Sequence, residues 1–593
     1  MTYTAPLRDM TAALRAAGFD RLGEVFPDAD AETAWAVLEA AGAFASGVIA
    51  PLNRRGDQTG ASFANGAVTA APGFADAYRQ FAQGGWNSLS ADPAFGGQGL
   101  PKTLEIAVFE MIQAASLAFG LCPLLTQGAI EALAAHGTDS QKARFLPRLV
   151  SGEWTGTMNL TEPQAGSDLA AVRSRAEPQP DGSYKVFGTK IFITYGEHDM
   201  AENIVHLVLA RVTGAPEGVK GISLFVVPKF MVNQDGSLGA RNDVHCVSIE
   251  HKMGIKASPT AVLQYGDHGG AVGYLVGQEN RGLEYMFIMM NAARYAVGVQ
   301  GIAIAERAYQ KAVGYAKDRV QSRPVDGSLS AAAPIIHHPD VKRMLMTMRA
   351  STEGCRAMAA VAAAAYDAAH HHPDAEARKD NAAFYEYLVP LVKGYSTEMS
   401  LEVTSLGVQV HGGMGFIEET GAAQYYRDAK ILTIYEGTTA IQANDLVGRK
   451  TARDGGTNAK AIAAQIEKTE AELVQRGSAN ALAVAKRLTA ARQAFVDVVE
   501  FIAANTRSNP NAAFAGSVPY LMLAGNVVAG WQLARALLVA EDQLAAGTDA
   551  AFMQAKITTA RFYADHILSR APGVRDSVVD GADAVTAMVV DAF

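Results

Sequence analysis

Apolar residues recur at helical spacing through about the first 150 residues, which predicts an N-terminal helical region. The segment Ala34–Ile49 is rich in alanine with apolar positions at this spacing, and Leu104–Leu117 follows the same pattern. Glycines interrupt the pattern at Gly96–Gly99 and predict a loop. The sequence Thr138-Asp139-Ser140-Gln141 is typical of a helix cap, so we expect a helix to begin there and continue through Ala143–Leu149.

From about Trp154 the pattern changes to short runs of β-branched and aromatic residues, which are typical of strands. Turn sequences, Asp-Gly at 181–182 and again at 235–236, separate some of these runs. Short strands at this spacing predict a small antiparallel barrel or sandwich. The four clearest runs are Tyr184–Thr194, Ile204–Val212, Ile222–Pro228 and Val244–Glu250.

Helical spacing returns at about Gly282 and continues in long segments with short connections, which predicts a C-terminal four-helix bundle. The clearest segments are Leu283–Val320, Asp340–Ala369 and Ala382–Val410. Three consecutive histidines, His370–His372, fall between two of these helices, and we expect them in a polar interhelix loop. Adjacent side chains do not converge as tetrahedral metal ligands do, so no metal site is predicted.

A further helical region follows a linker sequence at Ala452–Asn458. The chain therefore reads as a multidomain α+β protein without an internal repeat of fixed period. We predict four domains: an N-terminal helical domain at 1–155, a middle β-barrel or sandwich at 156–280, a helical bundle at 281–450 and a C-terminal helical extension at 459–593.

Composition and charge narrow the function classes. The chain has 593 residues, 49% of them hydrophobic, and a net charge of −9, which argues against a nucleic-acid-binding protein. Its three cysteines are far apart and show no CxxC spacing, so a disulfide framework or zinc knuckle is disfavoured and a cytoplasmic location fits best. The N-terminus shows no secretory signal pattern. The uncharged stretch Ser508–Ala534 contains Pro510 and Pro519, which favours a buried helix over a membrane span.

Glu436 is the strongest candidate for catalysis, because apolar Ile434 and Tyr435 precede it and burial would raise its pKa towards that of a general base. A glycine loop, Gly412–Gly415, begins 24 residues upstream, and such loops let a backbone approach a phosphate. It follows a helix instead of opening a βαβ unit, so a nicotinamide-binding fingerprint is disfavoured. Alone, the segment is also typical of a plain helix-ending loop.

Two further segments carry candidate chemistry: Met158–Asp168, whose turn could face an anion or a flavin edge, and Lys190–Thr194, whose aromatic and hydroxyl groups could contact a planar ring. Taken singly, the first segment is better explained as a surface turn and the second as a core strand. In their order and spacing the motifs together resemble the acyl-CoA dehydrogenase family. The matching motifs are Thr161–Asp168 (TEPQAGSD), Gly188–Thr194 (GTKIFIT), Arg427–Lys430 (RDAK) and Ile434–Thr438 (IYEGT).

The similarity covers roughly residues 30–450, and the C-terminal extension is similar to that of a long bacterial subgroup. The resemblance implies an FAD enzyme in which Glu436 takes the α-proton of an acyl-CoA while a hydride passes from the β-carbon to flavin N5. Ala293 stands where some relatives carry the base on the bundle helix, which strengthens the assignment to Glu436. The implied substrate is 3-(methylthio)propionyl-CoA or a short or medium fatty acyl-CoA.

The resemblance also implies a set of binding residues. The cofactor-binding residues are Met158, Leu160, Thr161, Gly166, Ser167, Phe192, Ile193, Thr194, Arg319, Gln321, Gln409, Gly412, Gly413 and Thr438. The substrate-binding residues are Ser167, Arg294, Tyr435 and Gly437. Residues 319–321 and 409–413 match segments that reach the FAD of a neighbouring subunit, so a homo-oligomer, most simply a dimer, is implied. An electron-transferring flavoprotein is the implied acceptor.

The chain departs from the family pattern at Phe192, where many relatives have tryptophan, and in the insertion that runs from Gln321 to Pro334. Pro339 occupies a position where relatives often have a glutamine that contacts FAD. An acyl-CoA oxidase remains an alternative. A non-catalytic flavoprotein that binds DNA through the extension is disfavoured, because from Thr451 onward 13 basic residues face 14 acidic ones.

Overall fold

The structure is a computed structural model that describes residues 3–19, 25–26 and 29–593. Within these described residues, the predicted N-terminal helical region has seven α-helices and a small hairpin. The helices are α1 (Leu7–Ala16), α2 (Ala31–Phe44), α3 (Ala50–Thr59), α4 (Phe74–Gln83), α5 (Lys102–Ala115), α6 (Leu117–His136) and α7 (Asp139–Ser151), and the hairpin is β1 (Ser62–Ala64) and β2 (Ala67–Thr69). The predicted cap is confirmed: Thr138 and Gln141 form a capping box at the start of α7.

The middle region is an eight-stranded sheet that closes into a barrel, with a separate two-stranded hairpin. Its ring is formed by five strands, because β4 pairs with both β5 and β6, while β12 joins β5 to β7 and β7 pairs with β6. The strands are β3 (Trp154–Asn159), β4 (Arg175–Pro178), β5 (Tyr184–Thr194), β6 (Asn203–Val212), β7 (Ile222–Pro228), β8 (Phe230–Val232), β9 (Leu238–Arg241), β10 (Val244–Ile249), β11 (Thr260–Tyr265) and β12 (Ala271–Val276).

The prediction of a purely antiparallel barrel was wrong in one respect, since β3 and β4 both pair with β6 in parallel. β3 pairs with residues 203–208 of β6 and β4 with residues 211–212, so both run alongside β6 in the same direction, and a period-two pattern does not show which strand a segment pairs with. β6 and β7 are buried along nearly their whole length. One face of each lines the barrel core with residues such as Val208 and Phe225, and the other packs with Leu207 and Leu224 towards α6–α8.

Three long helices dominate the predicted bundle: α8 (Gly282–Asp318), α9 (Pro339–His371) and α10 (Ala375–Val410). The shorter α11 (Ala422–Lys430) packs against α8 and α10 as the fourth, and α12 (Thr439–Asp445) follows. The expectation that His370 and His371 lie in a loop was wrong, because they are the last two residues of α9. Basic residues are favourable at a helix C-terminus, where the unpaired carbonyls carry partial negative charge.

The C-terminal extension is helical, as predicted, and packs directly on the bundle through α16. Its helices are α13 (Thr457–Arg476), α14 (Ala479–Ser508), α15 (Pro510–Ala515), α16 (Ser517–Ala545), α17 (Ala550–His566), α18 (Ala571–Val579) and α19 (Ala582–Thr586). Tyr395 of α10 donates to Asn526 Oδ1 of α16 at 2.6 Å, and Tyr387 of α10 contacts Tyr520 at 3.0 Å. One continuous hydrophobic core therefore joins the N-terminal helices, the bundle and the extension.

By length and composition alone, four helical stretches within the described residues could cross a membrane. They are Ala31–Thr59, Leu117–His136, Gly282–Asp318 and Ser517–Ala545. In the last three, between 67% and 83% of the apolar window is buried inside the protein, so protein packing accounts for most of their apolar surface.

Candidate active site

Glu436 lies in a short loop between two helical segments. A single turn at Ile431–Thr433 precedes it, and Thr438 caps α12 after it by accepting from the Ile441 amide at 3.3 Å. Glu436 has a backbone φ of +55° and Gly437 one of +86°, so two consecutive residues are left-handed. This conformation is costly for a non-glycine residue and persists only where its surroundings impose it.

Burial raises the pKa of the half-buried Glu436 carboxyl to about 7, and the nearby cations Arg294 and Lys393 oppose this rise. The predicted desolvation of this carboxyl is therefore confirmed. A carboxylate with a pKa near neutrality is the group that general-base catalysis requires. Two buried polar atoms in this neighbourhood, Arg294 Nε and Gln442 Oε1, have no hydrogen-bond partner among the described residues.

Tyr435 connects the loop to the helices behind it. Its hydroxyl donates to Gln300 Oε1 of α8, and Gln300 Nε2 donates to Gln113 Oε1 of α5 at 3.1 Å. Gln113 Nε2 then donates to the Gly120 carbonyl at 3.0 Å. The residue before Glu436 is thus held by a buried chain of amides, and sequence reasoning missed both glutamines because helical spacing alone does not show which face meets the loop.

Two further residues that sequence reasoning missed hold the loop from the other side. Lys393 of α10 donates to the carbonyls of Leu432 and Gly437 at 2.8 and 2.6 Å. Gln442 of α12 donates to the carbonyls of Glu436 and Gly437, both at 3.2 Å. The sequence did offer one signal for Lys393. It directly follows the apolar residues 387–392, which indicates burial, and a buried lysine needs hydrogen-bond partners.

The Arg427–Lys430 motif that precedes the loop joins three regions of the fold. Arg427 makes paired hydrogen bonds to Asp57 of α3 and to Glu418. Asp428 accepts from the Ile255 amide at 2.5 Å, in the connection between β10 and β11. Burial raises the pKa of Asp428 to about 7. The segment leading to Glu436 is therefore fixed to both the N-terminal helices and the barrel.

A buried ion pair joins the first two motifs of the barrel. Lys190 Nζ donates to Glu162 Oε1 at 2.8 Å and to the Leu160 carbonyl at 2.9 Å. The Ile191 amide donates to the Thr161 carbonyl at 2.9 Å, so the two segments lie side by side. Neither Glu162 nor Lys190 was predicted as a site residue, although both lie inside the quoted motifs.

The predicted flavin contacts of the barrel form an exposed edge at the end of β5. Phe192 has 58% of its surface exposed, which is unusual for a phenylalanine, and a φ of +60°. Ile193 points into the barrel core, so only its backbone is available to a ligand. The other members flank this edge: Thr194 at the end of β5, Met158 in β3, Leu160 and Thr161 just after β3, and Gly166 and Ser167 on the exposed turn beyond.

The remaining predicted contacts lie at the far end of the bundle. Tyr315 of α8 stacks on His411, the residue directly after α10, with ring centroids 4.4 Å apart, which brings the C-terminal ends of both helices together. At this end lie the exposed residues Arg319, Gln321, Gln409, Gly412 and Gly413. From Arg294 to the end of α8 the helix rises roughly 36 Å, so these five residues do not join Arg294 around one flavin ring. Their grouping is compatible with the predicted contact to a second subunit.

Two other features lie outside this site. Asp243, His245 and His268 have ligand atoms within 4.8 Å of one another, and no other group of this kind occurs in the described part of the chain. Asp243 already accepts from the amides of His268 and Gly270. A cavity of about 460 Å³ lies between α1, α9, α16 and α17, and none of its lining residues belongs to the predicted site.

Four family models match the chain in sequence order. They are described as the acyl-CoA dehydrogenase N-terminal domain (residues 31–153), middle domain (157–267) and C-terminal domain (280–450), followed by an acetyl-CoA dehydrogenase C-terminal-like domain (461–589). The matches therefore include the extension as well as the three regions that carry the motifs.

Individual proteins align over nearly the whole chain. The 3-methylmercaptopropionyl-CoA dehydrogenase of Ruegeria pomeroyi is 55% identical over 99% of both chains. The broad-specificity linear acyl-CoA dehydrogenase FadE5 of Mycobacterium tuberculosis is 37% identical over 93% of both. Among solved structures, an acyl-CoA dehydrogenase from Bacillus anthracis complexed with FAD superposes with a TM-score of 0.74 at 21% identity, covering 94% of this chain and 90% of that one.

Proposed function

The chain belongs to the acyl-CoA dehydrogenase family, and we propose that its substrate is 3-(methylthio)propionyl-CoA or a related short or medium fatty acyl-CoA. As a member of this family it is an FAD-dependent oxidoreductase that introduces a double bond between the α- and β-carbons of an acyl thioester. The observation that supports the substrate is the 55% identity, along both whole chains, to a 3-methylmercaptopropionyl-CoA dehydrogenase.

We propose Glu436 as the catalytic base that removes the α-proton. A carboxyl whose pKa is about 7 is largely ionised at slightly alkaline pH and still basic enough to accept a proton from carbon. The cations of Arg294 and Lys393 keep its pKa from rising further. Ala293 leaves no acid at the alternative position on α8, in agreement with this assignment.

The residues at the end of β5 fit a flavin. The exposed Phe192 ring and the hydroxyls of Thr161, Ser167 and Thr194 lie on two segments joined by the Ile191–Thr161 hydrogen bond, and together they suit a planar ring with a polar edge. When bound, FAD supplies the acceptor for the hydride that leaves the β-carbon. The Glu162–Lys190 pair holds the two flavin-facing segments in register without itself facing the ring.

The substrate side of the site is proposed at Tyr435, Gly437, Ser167 and Arg294. No group among the described residues accepts from the buried Arg294 Nε–H, which suits a carbonyl or another polar group of the thioester. Tyr435 is committed through its hydroxyl to Gln300, so it offers its ring to the substrate instead of a hydrogen bond.

The proposed FAD site is shared between subunits, with Arg319, Gln321, Gln409, Gly412 and Gly413 contributed by the second copy of at least a dimer. We also propose the four domains given above, an electron-transferring flavoprotein as acceptor and no nucleic-acid partner, in line with the net charge of −9. We propose a cytoplasmic location without a membrane span, which the buried free thiols of all three cysteines support.

Glu436→Gln tests the assignment of the base. The variant keeps the shape of the side chain but not its basicity, so we expect bound FAD and a loss of substrate-dependent flavin reduction of about 10²–10⁴-fold. Glu419→Gln, on the exposed face near the glycine loop, is the matched control. Undiminished reduction by Glu436→Gln would exclude Glu436 as the base.

A panel of acyl-CoA thioesters, read by anaerobic flavin reduction, tests the substrate class. We expect 3-(methylthio)propionyl-CoA and short-chain thioesters to reduce the flavin fastest, and preference for long chains would contradict the proposal. Comparing oxygen consumption with dye reduction separates a dehydrogenase from the alternative of an oxidase.

A further inference from the structure

Lys393 is a buried lysine in the middle of α10. Its side chain is fully enclosed, and a buried ammonium group is stable only when hydrogen-bond acceptors replace its water shell. The acceptors are two backbone carbonyls, Leu432 O at 2.8 Å and Gly437 O at 2.6 Å. They belong to residues on either side of Glu436, so one ammonium group connects the two ends of the loop that carries the base.

The loop needs such a support because its conformation is unfavourable. Glu436 has a φ of +55°, and left-handed backbone at a residue with a long side chain persists only when surrounding contacts impose it. Gln442 contributes longer hydrogen bonds to the Glu436 carbonyl and to the same Gly437 carbonyl, at 3.2 Å each. The two donors approach the loop from different helices, α10 and α12, and so restrain it from two directions.

The position of Lys393 is fixed by a close contact between α8 and α10. A Cβ atom added to Gly298 would lie 2.4 Å from the Val392 carbonyl oxygen, and one added to Gly301 would lie 2.7 Å from that of Ser396. The two helix backbones therefore touch on both sides of Lys393 along α10. This contact holds the lysine rigidly relative to α8, which also supplies Arg294 and the Gln300 partner of Tyr435.

Charged groups from each neighbouring element act on this lysine and on the base. Arg294 from α8 and Lys393 from α10 both act to lower the pKa of Glu436, and the Tyr435 phenol lies beside it in the same loop. Burial lowers the pKa of Lys393 to about 8, and the carboxylates of Glu436 and Glu398 oppose this decrease. Asp445 and Arg449 act on Arg294.

We propose that Lys393 is a positioning residue for the dehydrogenation, holding the Glu436 loop in its strained conformation through the Leu432 and Gly437 carbonyls and presenting a cation to the carboxylate of the base. This inference rests on the proposed role of Glu436. Lys393 touches neither substrate nor reacting atoms. Lys393 acts by fixing the position of the Glu436 carboxylate and the pH range over which this carboxylate is ionised.

Lys393→Met and Lys393→Arg in the FAD-loaded, full-length enzyme test the inference. Methionine removes both the donors and the charge, so we expect the maximal rate of anaerobic flavin reduction to fall at least tenfold and the acid limb of its pH profile to move to higher pH. Arginine keeps the charge and donors and should restore the original pH profile with part of the rate. Lys450→Met, which removes a lysine paired with Glu386 elsewhere in the bundle, is the control and should change neither the maximal rate nor the pH profile.

A crystal structure of Lys393→Met gives a readout independent of activity, in which the φ of Glu436 should leave the left-handed region. If the methionine variant does not fold, Lys393→Gln keeps a donor without the charge and replaces it in the measurement of the pH profile. A folded variant with an unchanged pH profile and an unchanged loop would overturn the inference. A wild-type enzyme that no acyl-CoA reduces would instead contradict the proposed function, and the loop conformation would then decide the role of Lys393 alone.

Discussion

Replacing Glu436 with glutamine should stabilise the folded protein at alkaline pH while it lowers the rate of flavin reduction by about 10²–10⁴-fold. The pKa of this carboxyl is 4.5 in its unperturbed state and about 7 in the fold, so between these values the folded protein binds more protons than the unfolded chain. The free energy of unfolding contributed by Glu436 therefore decreases as pH rises through this window. Glutamine has no proton to lose, and its contribution does not change.

The size of the effect follows from the same two pKa values. Each pKa unit corresponds to about 1.4 kcal/mol, so full ionisation of Glu436 in the fold costs about 3 kcal/mol. With an unfolding entropy of about 2 cal/mol/K per residue, the corresponding shift in melting temperature is roughly 2 °C if the whole chain unfolds together and roughly 8 °C if only the bundle does. The difference in melting temperature between variant and wild type should approach zero near pH 4.5 and reach its full value by pH 8.

The assay is thermal unfolding of both FAD-loaded proteins at a fixed scan rate between pH 4.5 and 8. Glu472→Gln, at an exposed position of α13, controls for the loss of one negative charge and should show no such pH-dependent difference. Two results would refute the argument that desolvation dominates the pKa of Glu436. One is a Glu436→Gln variant that melts below the wild type at pH 8, and the other is a variant whose melting temperature exceeds that of the wild type by the same amount at every pH.

Three other changes probe the surroundings of the site. Glu162→Gln leaves Lys190 buried without its charge partner, which should destabilise the fold by about 3–5 kcal/mol and lower the FAD content per protein. Glu177→Gln removes a partner from an exposed ion pair and, as the control, should leave the FAD content unchanged. Gly437→Ala places a Cβ 2.7 Å from Gln442 Nε2 at a φ of +86°, so the rate of flavin reduction should drop several-fold with circular dichroism unaltered; a wild-type rate would contradict the need for this loop geometry. Gly525→Ala places a Cβ 2.2 Å from the Tyr395 ring, so the melting temperature should fall markedly, whereas an unchanged value would show that α16 is not packed on α10 as described.

Local signals in the sequence were sufficient for most elements. The strand at Tyr184–Thr194 and the capping box at Thr138 match the prediction, because alternation and capping are properties of a few consecutive residues. The parallel pairing of β3 with β6 was not predictable, since it depends on where a long connection returns the chain. Lys393 was missed for a related reason: its partners are the carbonyls of Leu432 and Gly437, and backbone groups leave no sequence pattern.

The loop that carries Glu436 is held by contacts from several regions of the fold. Arg427 and Asp428 fix the preceding helix to α3 and to the connection between β10 and β11, while Lys393 and Gln442 fix the loop itself. A hydride and a proton must leave adjacent carbons of one thioester, so a carboxylate displaced by about 1 Å costs about 10²-fold in rate. The proposed flavin-facing edge belongs to the barrel and the proposed base to the bundle, and only contacts that bridge the two regions can set their separation. The Asp428–Ile255 hydrogen bond does so within eight residues of Glu436, which gives the Arg427–Lys430 motif a geometric role in catalysis although none of its side chains is proposed to touch the substrate.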